Sequence, residues 1–225
     1  MGFNILLRNS KRLSYFKRYL LRMLKFEAVN EVVLCSGYFQ EDLWGYSVLD
    51  DDVLQALKSK ADNEKFKINF IAGKFKVDKK TQQVDSEDVW FPSYKNFLKR
   101  LNAEGVGFEA YIAKDKNWHA KVALFLINGV PIAGIVGSSN MTRPAVSETD
   151  TFFNFECDVV IWVGKYQLNK VFGGLADPVP DDPFSPIIAQ VNPRYPQPKE
   201  DERLMAIYNE VMKLEDLESF DQWKD

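Results

Sequence analysis

The sequence predicts an α/β fold: a mixed, largely parallel central β-sheet flanked by helices, with a proline-rich segment and a helix at the C-terminus. Three observations predict it. Strand-like and helix-like runs alternate between residues 31 and 113. Asn128-Gly129 sits between two apolar runs, the strongest short hairpin signal a sequence offers. Beyond it, "FFNFECDVVIWV" (152–163) supplies another apolar, β-branched strand.

Taken in order, residues 11–26 carry Leu13, Phe16, Leu20 and Leu24 at helical spacing, with Lys17, Arg18, Arg22 and Lys25 expected outside. "EVVLCSGYF" (31–39) reads as a buried strand. "DDDVLQALKSKAD" (50–62) has acids in its first turn and Val53, Leu54 and Leu57 on one face, so a helix. "KFKINFIAG" (65–73) is strand-like, and the charged stretch 73–88 a loop. Tyr94, Phe97, Leu98 and Leu101 form a helical stripe that ends before Gly105, a glycine cap. "VGFEAYIA" (106–113) is a third strand, and the strand–helix–strand–helix–strand order argues for parallel pairing. After about residue 165 proline and aspartate dominate, and an irregular path is expected up to a last helix over 200–218, with Leu204, Ile207, Val211 and Leu214 on its apolar face. The expected division is a catalytic domain over 1–165 and an extension over 166–225.

The composition excludes several classes of function. With 225 residues the chain can bury a full core. A net charge of −3 gives no global basic field, so any polyanion contact must be local. One histidine and two distant cysteines cannot assemble a His/Cys metal cluster, and no metal or other cofactor is expected. Cys35 and Cys157 both lie in apolar runs and read as buried free thiols of a reducing compartment. The basic, amphipathic N-terminus lacks the apolar core of a secretory signal, and nothing approaches a membrane span. The expected location is the cytoplasm, with no membrane partner. No helix-turn-helix or zinc finger is present to read sequence.

Chemistry concentrates around the hairpin. With Asn128-Gly129 as a two-residue turn, Lys121 falls across from Val136 and His119 across from Ser138, unless Pro131 introduces a bulge that shifts the register. Side chains alternate along a strand, so His119, Lys121, Ser138 and Asn140 share one face. By the same parity Asn154 and Glu156 lie on one face of the last strand, opposite Phe155 and Cys157. Such a polar face inside an apolar sheet is costly unless its members serve one another or a ligand. Lysine, hydroxyl and amide donors suit an anion with several oxygens, such as phosphate. Gly137-Ser138-Ser139-Asn140 is expected to lead into a helix, with Ser and Asn as caps. An imidazole beside a phosphoryl group can act as nucleophile or as general acid and base, and Glu156 could orient it.

His119-Ala120-Lys121, followed by Gly137-Ser138-Ser139-Asn140 and by Asn154-Phe155-Glu156, resembles the phospholipase D superfamily over roughly residues 30–165. The resemblance implies a phosphodiesterase whose catalytic residues are His119, Lys121, Asn140 and Glu156, with Ser138 and Ser139 binding the substrate phosphate; Arg143 reads as a further phosphate contact or as an ordinary surface arginine. Where the family's fuller motif has an aspartate, this chain has Leu126, as the single-motif, metal-independent nucleases of the family tend to. Family members use two histidines. A chain with one then implies a homodimer whose active site lies on the two-fold axis. The expected substrate is nucleic acid, DNA ahead of RNA, cleaved by an endonuclease of restriction type through a covalent phosphohistidine. A lipid phosphodiesterase and a weakly catalytic nucleic-acid-binding module are the alternatives.

Overall fold

The computed structural model describes residues 2–8, 14–63, 65–73, 88–113, 119–147, 154–172, 185–189, 197–212, 217–221 and 224. Its strands are β1 (Gly2–Arg8), β2 (Glu31–Ser36), β3 (Lys67–Gly73), β4 (Glu109–Ala113), β5 (Val122–Ile127), β6 (Val130–Gly137), β7 (Glu156–Trp162), β8 (Ile187–Ala189) and β9 (Glu218–Ser219). Its helices are α1 (Tyr15–Leu24), α2 (Asp51–Ala61), α3 (Trp90–Ala103), α4 (Arg143–Val146), α5 (Leu168–Phe172) and α6 (Glu200–Val211).

The nine described strands form one sheet in the order β8-β1-β7-β6-β5-β2-β3-β4-β9. The α/β class and the mixed sheet agree with expectation, but the balance of directions does not. Among the described strands, parallel pairing is confined to β2–β3 and β3–β4, the strands joined by α2 and α3. The pairs β1–β7, β1–β8, β2–β5, β4–β9, β5–β6 and β6–β7 are antiparallel. The reason is connectivity: only in the β2–α2–β3–α3–β4 stretch, among the described elements, do helices join strands that are neighbours in the sheet, and parallel neighbours require such crossovers.

Local chemistry sets where the helices start. Ser14 Oγ accepts from the Lys17 N–H at 3.2 Å, and Asp50 Oδ1 accepts from the Val53 N–H at 3.1 Å. Asp88 Oδ1 accepts from the N–H groups of Trp90 and Phe91, which starts α3 two residues before Pro92. Gly105, with φ +77°, closes the turn after α3.

Four features differ from expectation. β1 is a strand where the sequence reading assigned only a basic, amphipathic N-terminus; it buries Asn4, Leu6 and Arg8 while Phe3, Ile5 and Leu7 are half-buried, so its polar residues point inward. Lys17 is buried rather than outside, its Nζ 2.6 Å from Asp50 Oδ2. Cys35 is buried but Cys157 is exposed, because β7 turns Glu156 and Asp158 inward instead. The tail is less irregular than its prolines suggest. β8 pairs with β1, β9 pairs with β4, and α6 packs on β6 and β7, so segments on both sides of residue 165 share one sheet. Lys11, Arg12, Leu13, Glu148, Leu214 and most of the 73–88 loop lie outside the described residues. Among the described residues no helix is long and apolar enough to cross a membrane.

Candidate active site

The hairpin turns at Asn128 (φ 51°) and Gly129 (φ 77°), both left-handed as a type I′ turn requires. Near the turn the register is the expected one, with Ile127 opposite Val130 and Leu126 opposite Pro131. Between Phe125 and Leu126 the register shifts, and Val122 pairs with Val136. This is the bulge that Pro131 was expected to permit. Lys121 therefore faces Gly137, whose N–H donates to Lys121 O at 3.1 Å, instead of Val136.

The catalytic candidates converge beyond the strand ends, over Gly37. A Cβ placed on Gly37 would lie 3.2 Å from Asn140 Oδ1, 3.4 Å from His119 Cδ2 and 3.7 Å from Lys121 Nζ. The bare backbone at this position thus forms the floor on which all three side chains meet. Ser36, just before it, organises the neighbouring segment. Its Oγ accepts from the Met141 N–H at 3.0 Å, donates to Tyr38 O at 2.7 Å and lies 3.3 Å from Asn140 Oδ1. Lys121 is buried, and its Nζ donates to His119 O at 2.9 Å, while the His119 side chain is exposed at the mouth.

These residues open onto a cavity of about 530 Å³ lined by His119, Lys121, Gly137, Ser138, Asn140, Asn154, Phe155 and Glu156. Ser138 is pinned to β7: its N–H donates to Cys157 O at 3.1 Å, its Oγ accepts from the Cys157 N–H at 2.9 Å, and its hydroxyl donates to Glu156 Oε2. The buried Glu156 carboxylate thus fixes the hydroxyl that lines the cavity.

Two expected phosphate ligands are placed elsewhere. Ser139 is buried and turned away from the cavity; its Oγ donates to Asp158 Oδ2 at 2.6 Å and its N–H to Oδ1 at 3.2 Å. Consecutive residues of an extended segment point to opposite sides, so Ser138 and Ser139 cannot both face one space. Arg143 opens α4, where its N–H donates to Gln40 Oε1 at 2.8 Å and its guanidinium lies 5.4 Å from the Tyr46 ring centre. It lines a neighbouring cavity rather than the one at His119. The helix expected after Asn140 is a single turn that starts after Thr142, so neither Ser139 nor Asn140 caps it.

The sequence reading missed the support beneath the site. Asp158 lies behind Gly137, where a Cβ would fall within 2.6 Å of Cys157 O and of Asp158, so only glycine lets β6 and β7 approach so closely. Burial pushes the Asp158 carboxyl above its usual range, the two Ser139 hydrogen bonds pull it back down, and the Glu156 charge raises it further. Arg8 reaches the same region from β1. It donates to the carbonyls of Ala145 and Ser147, the latter at 2.7 Å. Burial lowers the Arg8 pKa, opposed by the charges of Glu156, Tyr46 and Asp158. Carboxylates at 156 and 158 in an apolar strand were a visible signal, as were the small residues Ser36-Gly37 ending a buried strand.

Leu126, where the family motif has an aspartate, is fully buried in β5. Among the described residues no three of the His, Cys, Asp and Glu side chains are grouped to hold a metal ion.

No family model matches the chain, and no curated protein matches it. Solved structures do. The polyphosphate kinase of Porphyromonas gingivalis shares 15% identity at a TM-score of 0.47, over 81% of this chain and 27% of that one. The phosphatidylserine synthase of Haemophilus influenzae shares 12% identity at a TM-score of 0.47, over 75% and 36%. NucT from Helicobacter pylori shares 18% identity at a TM-score of 0.38, over 70% and 84%. All three are members of the phospholipase D superfamily. This chain spans about a third or less of the first two, and at such identities the likeness does not extend to what any of them acts on.

Proposed function

We propose that the chain is a phospholipase D-like phosphodiesterase that cleaves nucleic acid, DNA before RNA, without a metal ion. The observation that carries this reading is the meeting of His119, Lys121 and Asn140 over Gly37, at the mouth of a cavity that also holds Ser138 and Glu156. Lys121 and Asn140 bring an ammonium and an amide to the non-bridging oxygens of a phosphodiester, where charge grows as phosphorus becomes five-coordinate. The neutral His119 ring attacks phosphorus. A P–N bond forms, the P–O bond to the leaving alcohol breaks, and the leaving oxygen needs a proton.

One imidazole cannot both attack and protonate, and this chain has one histidine. The proton is therefore assigned to His119 of the partner subunit, across a two-fold axis through the site. In the second step that imidazole, now neutral, takes a proton from water as the water attacks phosphorus. The P–N bond breaks, and a phosphomonoester and free His119 result. Ser138, held by Glu156, and Asn154 complete the rim that positions the diester.

The test is hydrolysis of single- and double-stranded DNA in EDTA by wild type and His119→Ala, with the mass in solution determined. Wild type is expected to cleave as a dimer, and His119→Ala to lose at least about 10⁴-fold in rate, as for loss of a catalytic nucleophile. Undiminished cleavage by His119→Ala, or full activity from a monomer, overturns the proposal.

A further inference from the structure

Next to the catalytic cavity lies a second one of about 420 Å³, lined among others by Tyr38, Trp44, Trp90 and Arg143. The two share Asn140 and Asn154, so they form one continuous surface. Tyr38 and Trp90 stack with ring centres 4.3 Å apart, and Trp44 stands edge-on to Trp90 at 5.5 Å and 84°. Trp44 is 69% exposed, the most exposed of the large apolar side chains described.

Its placement is costly in a second way. Leu43 and Tyr46 exchange backbone hydrogen bonds at 3.3 and 3.2 Å, which closes a tight turn with Trp44 (φ 55°) and Gly45 (φ 67°) at its tip. Both are left-handed, a conformation that glycine or asparagine adopts easily and tryptophan does not. A bulky residue held there and exposed to water serves neither the core nor the turn. The turn is also tied to the catalytic segment by Gln40. Its N–H donates to Met141 O at 2.8 Å, its Nε2 donates to Leu43 O at 2.9 Å, and its Oε1 accepts from the Arg143 N–H.

We infer that this aromatic groove is a base-stacking subsite, which holds an unpaired nucleobase of single-stranded nucleic acid beside the phosphodiester at His119. The inference rests on the phosphodiesterase reading and names its substrate class. Rigid ring faces suit a flat base, and the Asn154 amide, on the lining of both cavities, offers a donor and an acceptor to a base edge. An acyl chain would meet the same polar groups without satisfying them. A base inside a duplex has its faces covered by its neighbours, so the subsite selects strands whose bases are free.

The experiment compares binding of a short oligothymidylate with the same oligomer carrying an abasic site, in EDTA, by wild type, Trp44→Ala and Trp44→Phe. Wild type is expected to favour the base-bearing strand by about 5- to 150-fold, the span of one base–aromatic stack. Trp44→Ala is expected to lose most of that preference and Trp44→Phe to keep most of it. Equal binding of both oligomers by wild type, or an intact preference in Trp44→Ala, overturns the inference. So does Trp44-dependent binding of anionic phosphatidylglycerol vesicles without base discrimination, which would make the groove a lipid site. Hydrolysis of bis(4-nitrophenyl) phosphate by wild type reports separately on the chemistry. Hydrolysis without base discrimination removes the subsite alone, and base discrimination without hydrolysis removes the phosphodiesterase reading alone.

Discussion

On the parallel side of the sheet, α3 meets β3 through aromatic rings: Phe97 lies 4.9 Å from both Phe39 and Phe70, and Tyr94 lies 5.1 Å from Phe39. On the antiparallel side, β1, β6 and β7 bury Arg8, Ser139, Glu156 and Asp158 behind the candidate site. The first arrangement stabilises through hydrocarbon burial and close packing. The second takes charges out of water, which hydrocarbon of the same volume would avoid. The difference teaches where the fold is held and where it is aimed. Aromatic packing holds the parallel side, and the polar cluster fixes the path of residues 137–147 by hydrogen bonds donated from Arg8 and Ser14 and accepted by Asp158. The candidate site forms where the two sides join, at β2 and β5.

The comparison breaks if truncation on the parallel side touches chemistry. Phe97→Ala is expected to cost about 3–5 kcal/mol in a urea melt, with kcat per folded molecule unchanged. A large fall in kcat at full folding would show that the two sides are not separable.

A smaller stability effect and a pH signature are expected from Asp158→Ala. It strips the Ser139 hydroxyl and N–H of their acceptor and leaves the buried Arg8 with one counter-charge fewer, at a cost of about 2–3 kcal/mol. Because burial raises the Asp158 pKa, the folded state holds this proton more tightly than the unfolded chain does. Its contribution to stability is therefore full below the unfolded value, near about 3.9, and is lost as pH rises through the raised folded value. The wild-type melt should carry that downward slope and Asp158→Ala should lack it. Identical slopes in thermal melts across acid pH would remove Asp158 from the account.

The smallest effect on stability sharpens the picture most. Gly37→Ala puts a methyl 3.2 Å from Asn140 Oδ1 and 3.4 Å from the imidazole. Displacing these groups by a few tenths of an ångström is expected to lower kcat about ten-fold, with less than about 1 kcal/mol lost from folding. Wild-type rates in this variant would mean that the three side chains need not meet over that floor.

Much of the parallel side was legible in the sequence, because the 2-residue and 3.6-residue periods are local and the Asp50 and Gly105 signals mark helix ends. β1 was not legible. Asn4 and Arg8 occupy its buried face, where Asn4 Nδ2 donates to Tyr19 Oη at 2.7 Å and Arg8 reaches the carbonyls of Ala145 and Ser147, so polarity no longer marks the outside. The direction of Cys157 was misread for the same reason, since Glu156 and Asp158 are the inward pair.

By itself the sequence pointed to His119, Lys121, Ser138, Asn140 and Glu156 as one group, and it determined the Asn-Gly turn, whose geometry depends only on residues at the turn. Tertiary structure alone decided that Ser139 and Arg143 serve other neighbours, that Gly37 is the floor, and that Trp44 stands beside the site. Each of these depends on contacts between segments tens of residues apart, formed through register, bulge and burial, and no local pattern encodes such distances.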